Sequence, residues 1–246
     1  MKSTVKIFLQ KLLGFDNYLF IFSLFKIYTL RWDQKENDFF HFMDMIPTEG
    51  TVLDIGANIG VMTARLAKKS RKLDIFSIEP IIFNLICLKR VVSFFKFKNI
   101  QIFDFALGHE EGKALMVVPT KRSLKMHGLS HIIHPSIIEN NEGHQCEVIV
   151  RKLDNIQELR GPKIKITAIK MDVENFECFV LAGAEELIKK HKPIIYLELW
   201  ENENRDKCFA WTTQMRYDIY IYQKGVLTKY NKELHKTQNF IFAPLP

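Results

Sequence analysis

Thr51-Val-Leu-Asp-Ile-Gly-Ala-Asn-Ile-Gly60 is a run of strand-forming residues that ends in two glycines. Val61-Met-Thr-Ala-Arg-Leu-Ala-Lys-Lys69 follows with helical character, carrying Met62 and Leu66 on one face. Strand, glycine turn and helix together bring backbone N–H groups and a helix N-terminus against a ligand. Glycine suits Gly56 and Gly60 because a Cβ would clash where the chain turns sharply or approaches a bound group. Asn58 stands where a third glycine often does, and Asn is one of the few residues that tolerate a positive φ. Asp54, at the strand's end, can reach into the same crevice. Alone, the two glycines could also make a tight βα turn without any ligand.

The next acidic residue adds to the signal. Leu73-Asp-Ile-Phe-Ser-Ile78 reads as a second strand that ends at Glu79-Pro80. An acidic residue at the tip of the second strand is placed to bind both hydroxyls of a ribose. The crevice is therefore expected to hold a nucleoside. A dinucleotide fingerprint would carry three glycines around a pyrophosphate, whereas this chain has G-A-N-I-G with Asp54 just before it. A carboxylate there repels a pyrophosphate but not a sulfonium or an ammonium. S-adenosylmethionine is the favoured cofactor.

Further motifs lie in order along the chain. VLDIGANIG is followed by Ile78-Glu79-Pro80, by IKMDVENFE at 169–177, by VLAGAEEL at 180–187, and by the ending Asn239-Phe-Ile-Phe242. Taken together, these strings resemble the FkbM family of S-adenosylmethionine-dependent methyltransferases. Lys152-Leu-Asp154 falls where that family has T-L-D. The resemblance covers roughly residues 50–200 and the C-terminal strand. It implies an O-methyltransferase, often one acting on sugars of a polysaccharide or natural product. One departure stands out: the family's D-V-E-G is Asp172-Val-Glu-Asn175 here, which bears on the turn beside the crevice.

The expected fold is α/β: a Rossmann-like, doubly wound, mostly parallel sheet of the class I methyltransferase type with a small N-terminal helical cap. The cap is assigned to residues 1–48 and the methyltransferase domain to 49–246. A chain of 246 residues, 47% hydrophobic with 20 Phe, can bury such a core. Its formal charge of +7 suits an acidic partner without naming one. Cys87, Cys146, Cys178 and Cys208 form no C-x-x-C pair and read as reduced thiols, which favours a cytoplasmic protein.

Lys2, Lys6 and Lys11 precede the apolar run Tyr18–Phe25. That run is too short to span a membrane, and no small-residue cleavage site follows it. A cap packed on the sheet is favoured over a basic amphipathic helix through which residues 5–30 would make a peripheral membrane contact.

Beyond Glu79-Pro80 the pattern predicts a helix over 82–95, a third strand over 100–105, an extra strand over 114–118 and a long polar loop over 119–141. Asp104, at the end of the third strand, is placed to reach an adenine amino group or to cap the next turn. Phe105 beside it completes that group of cofactor residues. The loop carries His127, His131 and His134, but Gly128 and Pro135 argue against a helical metal face, and no metal is expected. A loop of this length suits contact with the acceptor. A further strand over 145–153 is followed by a fourth core strand, Thr167–Met171. That strand delivers Asp172 and Glu174 to the C-terminal rim, followed by a helix over 176–190. A fifth strand, 193–199, a helix over 201–215 and closing antiparallel strands complete the chain.

The expected reaction moves a methyl group to a hydroxyl. Asp172 and Glu174 are the first candidates for the base, with His127 and His131 behind them. Asp54, Gly56, Asn58, Gly60, Glu79, Pro80, Asp104, Phe105 and Asp172 are the candidate cofactor residues. The expected acceptor is a small molecule or glycan. Nucleic acid is not expected, because the chain lacks an N/D-P-P-Y/F string, a Pro-Cys nucleophile and a basic ribbon interleaved with aromatics. The alternative is a non-catalytic cofactor- or partner-binding protein with a methyltransferase fold.

Overall fold

The computed structural model describes residues 3–121, 124–125, 127–137, 141–223 and 225–245. Three helices come first: α1 (Ser3–Leu13), α2 (Phe15–Thr29) and α3 (Asn37–Met45). An alternating series follows, consisting of β1 (Glu49–Ile55), α4 (Val61–Lys69), β2 (Lys72–Ile78), α5 (Ile82–Phe95) and β3 (Ile100–Phe103). Every residue of β1 from Thr51 to Ile55 is buried. A strand covered on both faces has no need of polar alternation, which is why this stretch reads as one apolar run.

After β3 come β4 (Ala106–Leu107), β5 (Gly112–Lys121), β6 (Leu124–Lys125), β7 (His131–Ile132) and β8 (Gly143–Arg151). These strands make a small second sheet in which β5 and β8 pair antiparallel along their length. Within the segment expected as a polar loop, the end of β5 and the short β6 and β7 are strand, while the other described residues are turn or irregular. The polar start of β8, Gly143 to Gln145, pairs with Pro119, Val118 and Val117 of β5, so its partner strand and not its own hydrophobic alternation makes it a strand.

The second half holds β9 (Ile166–Met171), α6 (Glu177–Ala182), α7 (Glu185–His191), β10 (Ile194–Glu198) and α8 (Glu203–Met215). It ends with β11 (Tyr217–Gln223), β12 (Val226–Lys229) and β13 (Asn239–Pro244). The helix expected over 176–190 is two helices. They break at Gly183, where a Cβ would stand 2.0 Å from the carbonyl oxygen of Gly108.

The main sheet runs β12-β11-β13-β10-β9-β1-β2-β3. Strands β3, β2, β1, β9 and β10 are parallel, and β13, β11 and β12 are antiparallel. This is the expected Rossmann-like α/β sheet. The chain winds outward from β1 to β3 and then returns to β9 on the other side of β1. That reversal opens a crevice at the C-terminal ends of β1 and its neighbours.

Alternation along the strands sends Leu53 and Ile55 to one face and Val52 to the other, each into its own apolar cluster. The N-terminal helices contribute to both clusters: Leu19 and Ile27 of α2 to the first, Phe39 and Phe42 of α3 to the second. Ser23 of α2 donates to the carbonyl of Ile59 in the glycine turn (2.9 Å), so this helix also buttresses the crevice. Among the described residues no helix is long and apolar enough to cross a membrane.

Candidate functional site

Gly56 opens the crevice. Its φ is +73°, and a Cβ there would lie 1.8 Å from the carbonyl oxygen of Asp172. Only glycine lets the end of β1 pass so close to the end of β9. The amides of Gly56 and Ala57 both donate to the carbonyl of Ile78 (3.0 Å each), tying the turn to the tip of β2. Asn58 adopts φ +50°, the left-handed conformation expected of it. Gly60, at φ +82°, caps α4 against Leu88 and does not line the cavity.

Glu79 is the best-held carboxylate of the site, buried at 4% exposure. One oxygen accepts from the backbone amide of Asn58 (2.8 Å), the other from the amide of Ile81 (2.8 Å) and from Asn84 Nδ2 (3.3 Å). Burial pushes its pKa up to about 7, against the pull of those three donors and of Lys170. Carboxylates keep further lone pairs beyond such bonds, so Glu79 can still accept from a diol.

Glu79, Gly56 and Asn58 line one cavity together with Pro80, Phe105, Asp172 and Glu174. It holds about 590 Å³ of space, its mouth included, which is within the usual range for a small-molecule site. Burial pushes the pKa of Glu174 up to about 9, aided by the negative fields of Asp172, Glu198 and Glu177. Gly128, Ser130 and Ile132, from the segment expected to meet the acceptor, close this cavity on one side.

Three sequence candidates lie elsewhere, and the side chain of one more, His127, is outside the described residues. Asp104 is exposed beyond the end of β3 and does not line the cavity. The extended strand stops at Phe103, one residue before it. His131 is buried in β7, its ring nitrogens 3.0 Å from the carbonyl of Leu129 and 3.1 Å from Asn141 Oδ1. It turns away from the cavity that its neighbours Ser130 and Ile132 line. The backbone of His127 belongs to a short turn, His127–Leu129, while its side chain lies outside the described residues.

Asp54 is the third. Its side chain is fully buried, accepts from Thr63 Oγ1, and does not line the cavity. Asp54 sits in register with Lys170 of β9, whose ammonium stands 3.6 Å away. Lys170 also donates to the carbonyl of Gly56 (3.0 Å) and approaches Asp172 at 3.7 Å. Burial alone would lower the lysine's pKa, but Asp172, Asp54 and Glu79 together hold it above its ordinary value. The ammonium thus stays charged beneath the glycine turn. Lys170 was not among the sequence candidates, although a lysine inside the apolar strand Ile-Thr-Ala-Ile-Lys-Met is a readable signal. Among the described residues no three His, Cys, Asp or Glu side chains are grouped to hold a metal.

The family model for the methyltransferase FkbM domain matches residues 54–225. None of the curated proteins matches the chain. Among solved structures, one similar to it is a methyltransferase FkbM from Methylobacillus flagellatus KT, with a TM-score of 0.54 and 20% identity. The match covers 79% of this chain and 44% of that one, so this chain spans less than half of that protein's length. A SAM-dependent O-methyltransferase from Thermotoga maritima gives a TM-score of 0.46 and 12% identity over 85% of this chain and 64% of its own. An rRNA methylase from Streptococcus thermophilus gives 0.47 and 12% over 83% and 92%. At these identities the likeness is one of fold.

Proposed function

This chain belongs to the FkbM methyltransferase family, and from that premise we propose that it transfers a methyl group to a hydroxyl oxygen of a sugar, polysaccharide or natural product. The observation that carries this reading is the joint placement of Glu79, Gly56 and Asp172 around one cavity at the switch point of the sheet. The cofactor is S-adenosylmethionine, which supplies an electrophilic methyl carbon on a sulfonium centre.

The residues present fit that group. Glu79 suits a ribose diol, the bare backbone of Gly56 lets a ligand approach closely, and Phe105 with Ile81 offers apolar cover for a base ring. Asp172 and Glu174 stand at one end of the cavity, where the charge of Asp172 stabilises a cationic group. Of these two carboxyls, Glu174 holds its own proton at neutral pH because its pKa is about 9. Asp172, paired with the Lys170 ammonium and about 40% exposed, is free to take a proton from an acceptor hydroxyl. The rest of the contribution is positioning.

The non-catalytic alternative drew on Asn175 in place of glycine. Asn175 takes φ +73°, the left-handed backbone that a glycine would supply, so the turn after Glu174 keeps its course. That removes the alternative's main support.

Calorimetric titration with S-adenosylmethionine tests the reading. Micromolar binding by the parent chain, weakened about tenfold or more (about 1.4 kcal/mol) in Glu79→Ala, is expected. Absence of binding by the parent chain would overturn it.

A further inference from the structure

A second cavity lies across Asp172 from the first, and we propose that it binds the methyl acceptor as a polyhydroxylated group without negative charge. The inference rests on the methyltransferase reading above. Asp172 lines both cavities, so a hydroxyl in the second would face whatever occupies the first across a shared carboxylate. Glu36 forms part of the wall from the short turn Gln34–Glu36, and Tyr196 and Glu198 do so from β10. Gln238 and Asn239 complete it at the start of β13. The cavity holds about 800 Å³ with its mouth, enough for a sugar ring.

Tyr196 points to a ligand. It is 94% buried, which follows from its 6% exposure, and its hydroxyl has no hydrogen-bond partner among the described residues. Its ring packs on Phe42 (5.3 Å between centroids) and Phe39 (6.1 Å). The apolar part of the side chain is therefore fixed in the core. The hydroxyl itself opens onto the cavity, where a hydroxyl-bearing ligand can exchange hydrogen bonds with it.

The charges select among ligands. Glu36, Asp172 and Glu198 face two lysines in the wall, Lys35 and Lys170, of which Lys170 is already engaged by Gly56 and Asp54. Glu198 carries its full charge only above its pKa of about 7. A phosphate or uronate would be repelled, whatever the chain's overall charge of +7 suggests. Neutral hydroxyls would find carboxyl, amide and phenol partners at several angles. The outer wall comes from the N-terminal segment, so that segment helps to choose the acceptor.

The test uses saturation-transfer NMR with two probes, methyl glucoside and methyl glucuronide, in the presence of S-adenosylhomocysteine. Parent chain, Tyr196→Phe and Gln238→Ala are compared. Calorimetry with S-adenosylmethionine is run on each, since neither residue lines the first cavity. Methyl glucoside should bind the parent and weaken about tenfold in Tyr196→Phe. It should also weaken in the exposed variant Gln238→Ala, which is expected to fold as the parent does. The glucuronide should not bind, and cofactor affinity should stay unchanged. Retained cofactor binding with no glucoside signal, with a signal indifferent to both substitutions, or with tighter glucuronide binding would overturn the assignment. Loss of cofactor binding in the parent chain would instead bring down the methyltransferase reading beneath it.

Discussion

The ammonium of Lys170 stands 3.6 Å from the carboxylate of Asp54, and the two side chains are 4% and 0% exposed. The distance is an ion pair, too long for a hydrogen bond. The bond itself goes to the carbonyl of Gly56, so one buried cation ties β1, β9 and the glycine turn together. Removing one partner of a buried pair leaves the other charge desolvated, at about 3–5 kcal/mol. Lys170→Met is therefore expected to lose about that much in urea denaturation, where an exposed pair would lose less than about 1 kcal/mol. Adding Asp54→Asn to Lys170→Met should restore part of the loss, because the stranded charge disappears. A double variant that is the sum of the two single ones would count against the pairing.

Burial raises the pKa of six carboxyls among the described residues, Glu36 and Asp38 and four that move furthest. Glu79 and Glu198 are raised to about 7, Glu177 to about 8 and Glu174 to about 9, each first through burial. For a raised folded pKa, the folded state keeps protons that the unfolded chain gives up. The stability involved is complete below the unfolded pKa and is lost as pH rises through the folded one. Each retained proton is worth about 1.4 kcal/mol per pH unit in that window. The urea midpoint should thus fall between about pH 6 and about pH 9. Glu177 lines neither cavity and accepts from the amide of Val173 (3.0 Å), a bond that glutamine can keep. Glu177→Gln should gain on the parent as pH rises. An equal difference at both ends of the range would refute the assignment.

The frame of the site is local in sequence, and so it could be read. Strand, Gly56, Asn58 and the acid at the tip of the next strand fall within 30 residues and carry their own backbone requirements. Asp54 looked equally local, yet strand alternation turns it onto the face of Val52, toward Thr63 and Lys170. What Asp54 meets on that face depends on the register of β1 with β9, more than 100 residues away. The acceptor cavity was less legible still. Asp172, Tyr196 and Gln238 meet because β9, β10 and β13 are neighbours in the sheet, and Glu36 joins them from the N-terminal segment. No spacing announces that. The break between α6 and α7 had a visible glycine, but the close carbonyl of Gly108 that requires it is again a distant residue.

Asn175 offers a sharper test of a single position. Its Oδ1 accepts from Asn202 Nδ2 (2.8 Å), and its carbonyl accepts from Asn204 Nδ2 (3.0 Å). The side chain thus fastens the turn after Glu174 to the start of α8, where Asn202 is the N-cap. Asn175→Gly would relieve the left-handed backbone at φ +73° but strip that amide of its partner. The lost hydrogen bond outweighs the relief, and a net loss of about 1 kcal/mol is expected in urea denaturation. Methyl transfer should persist in the parent chain without any such change. An increase in stability together with an onset of activity would revive the non-catalytic alternative.

Glu174 links the cofactor site to protons. It lines the first cavity, and burial together with the carboxylates of Asp172, Glu198 and Glu177 keeps it protonated at neutral pH. S-adenosylmethionine brings a sulfonium and an ammonium, and a nearby positive charge lowers a carboxyl's pKa. Binding at about pH 7.5 should therefore release up to about one proton per ligand. The binding enthalpy would then vary with the ionisation enthalpy of the buffer, between phosphate and Tris for instance. By linkage, a ligand that expels a proton binds more tightly as pH rises, so affinity should improve from about pH 7 toward about pH 9. Glu174→Gln removes the titrating group and should flatten both dependences. Glu79, with a pKa near 7, would leave a smaller residue of the effect at the lower end of that range. If the buffer dependence is the same in the variant as in the parent, the proton comes from another group, and Glu174 does not sense the charge of the ligand.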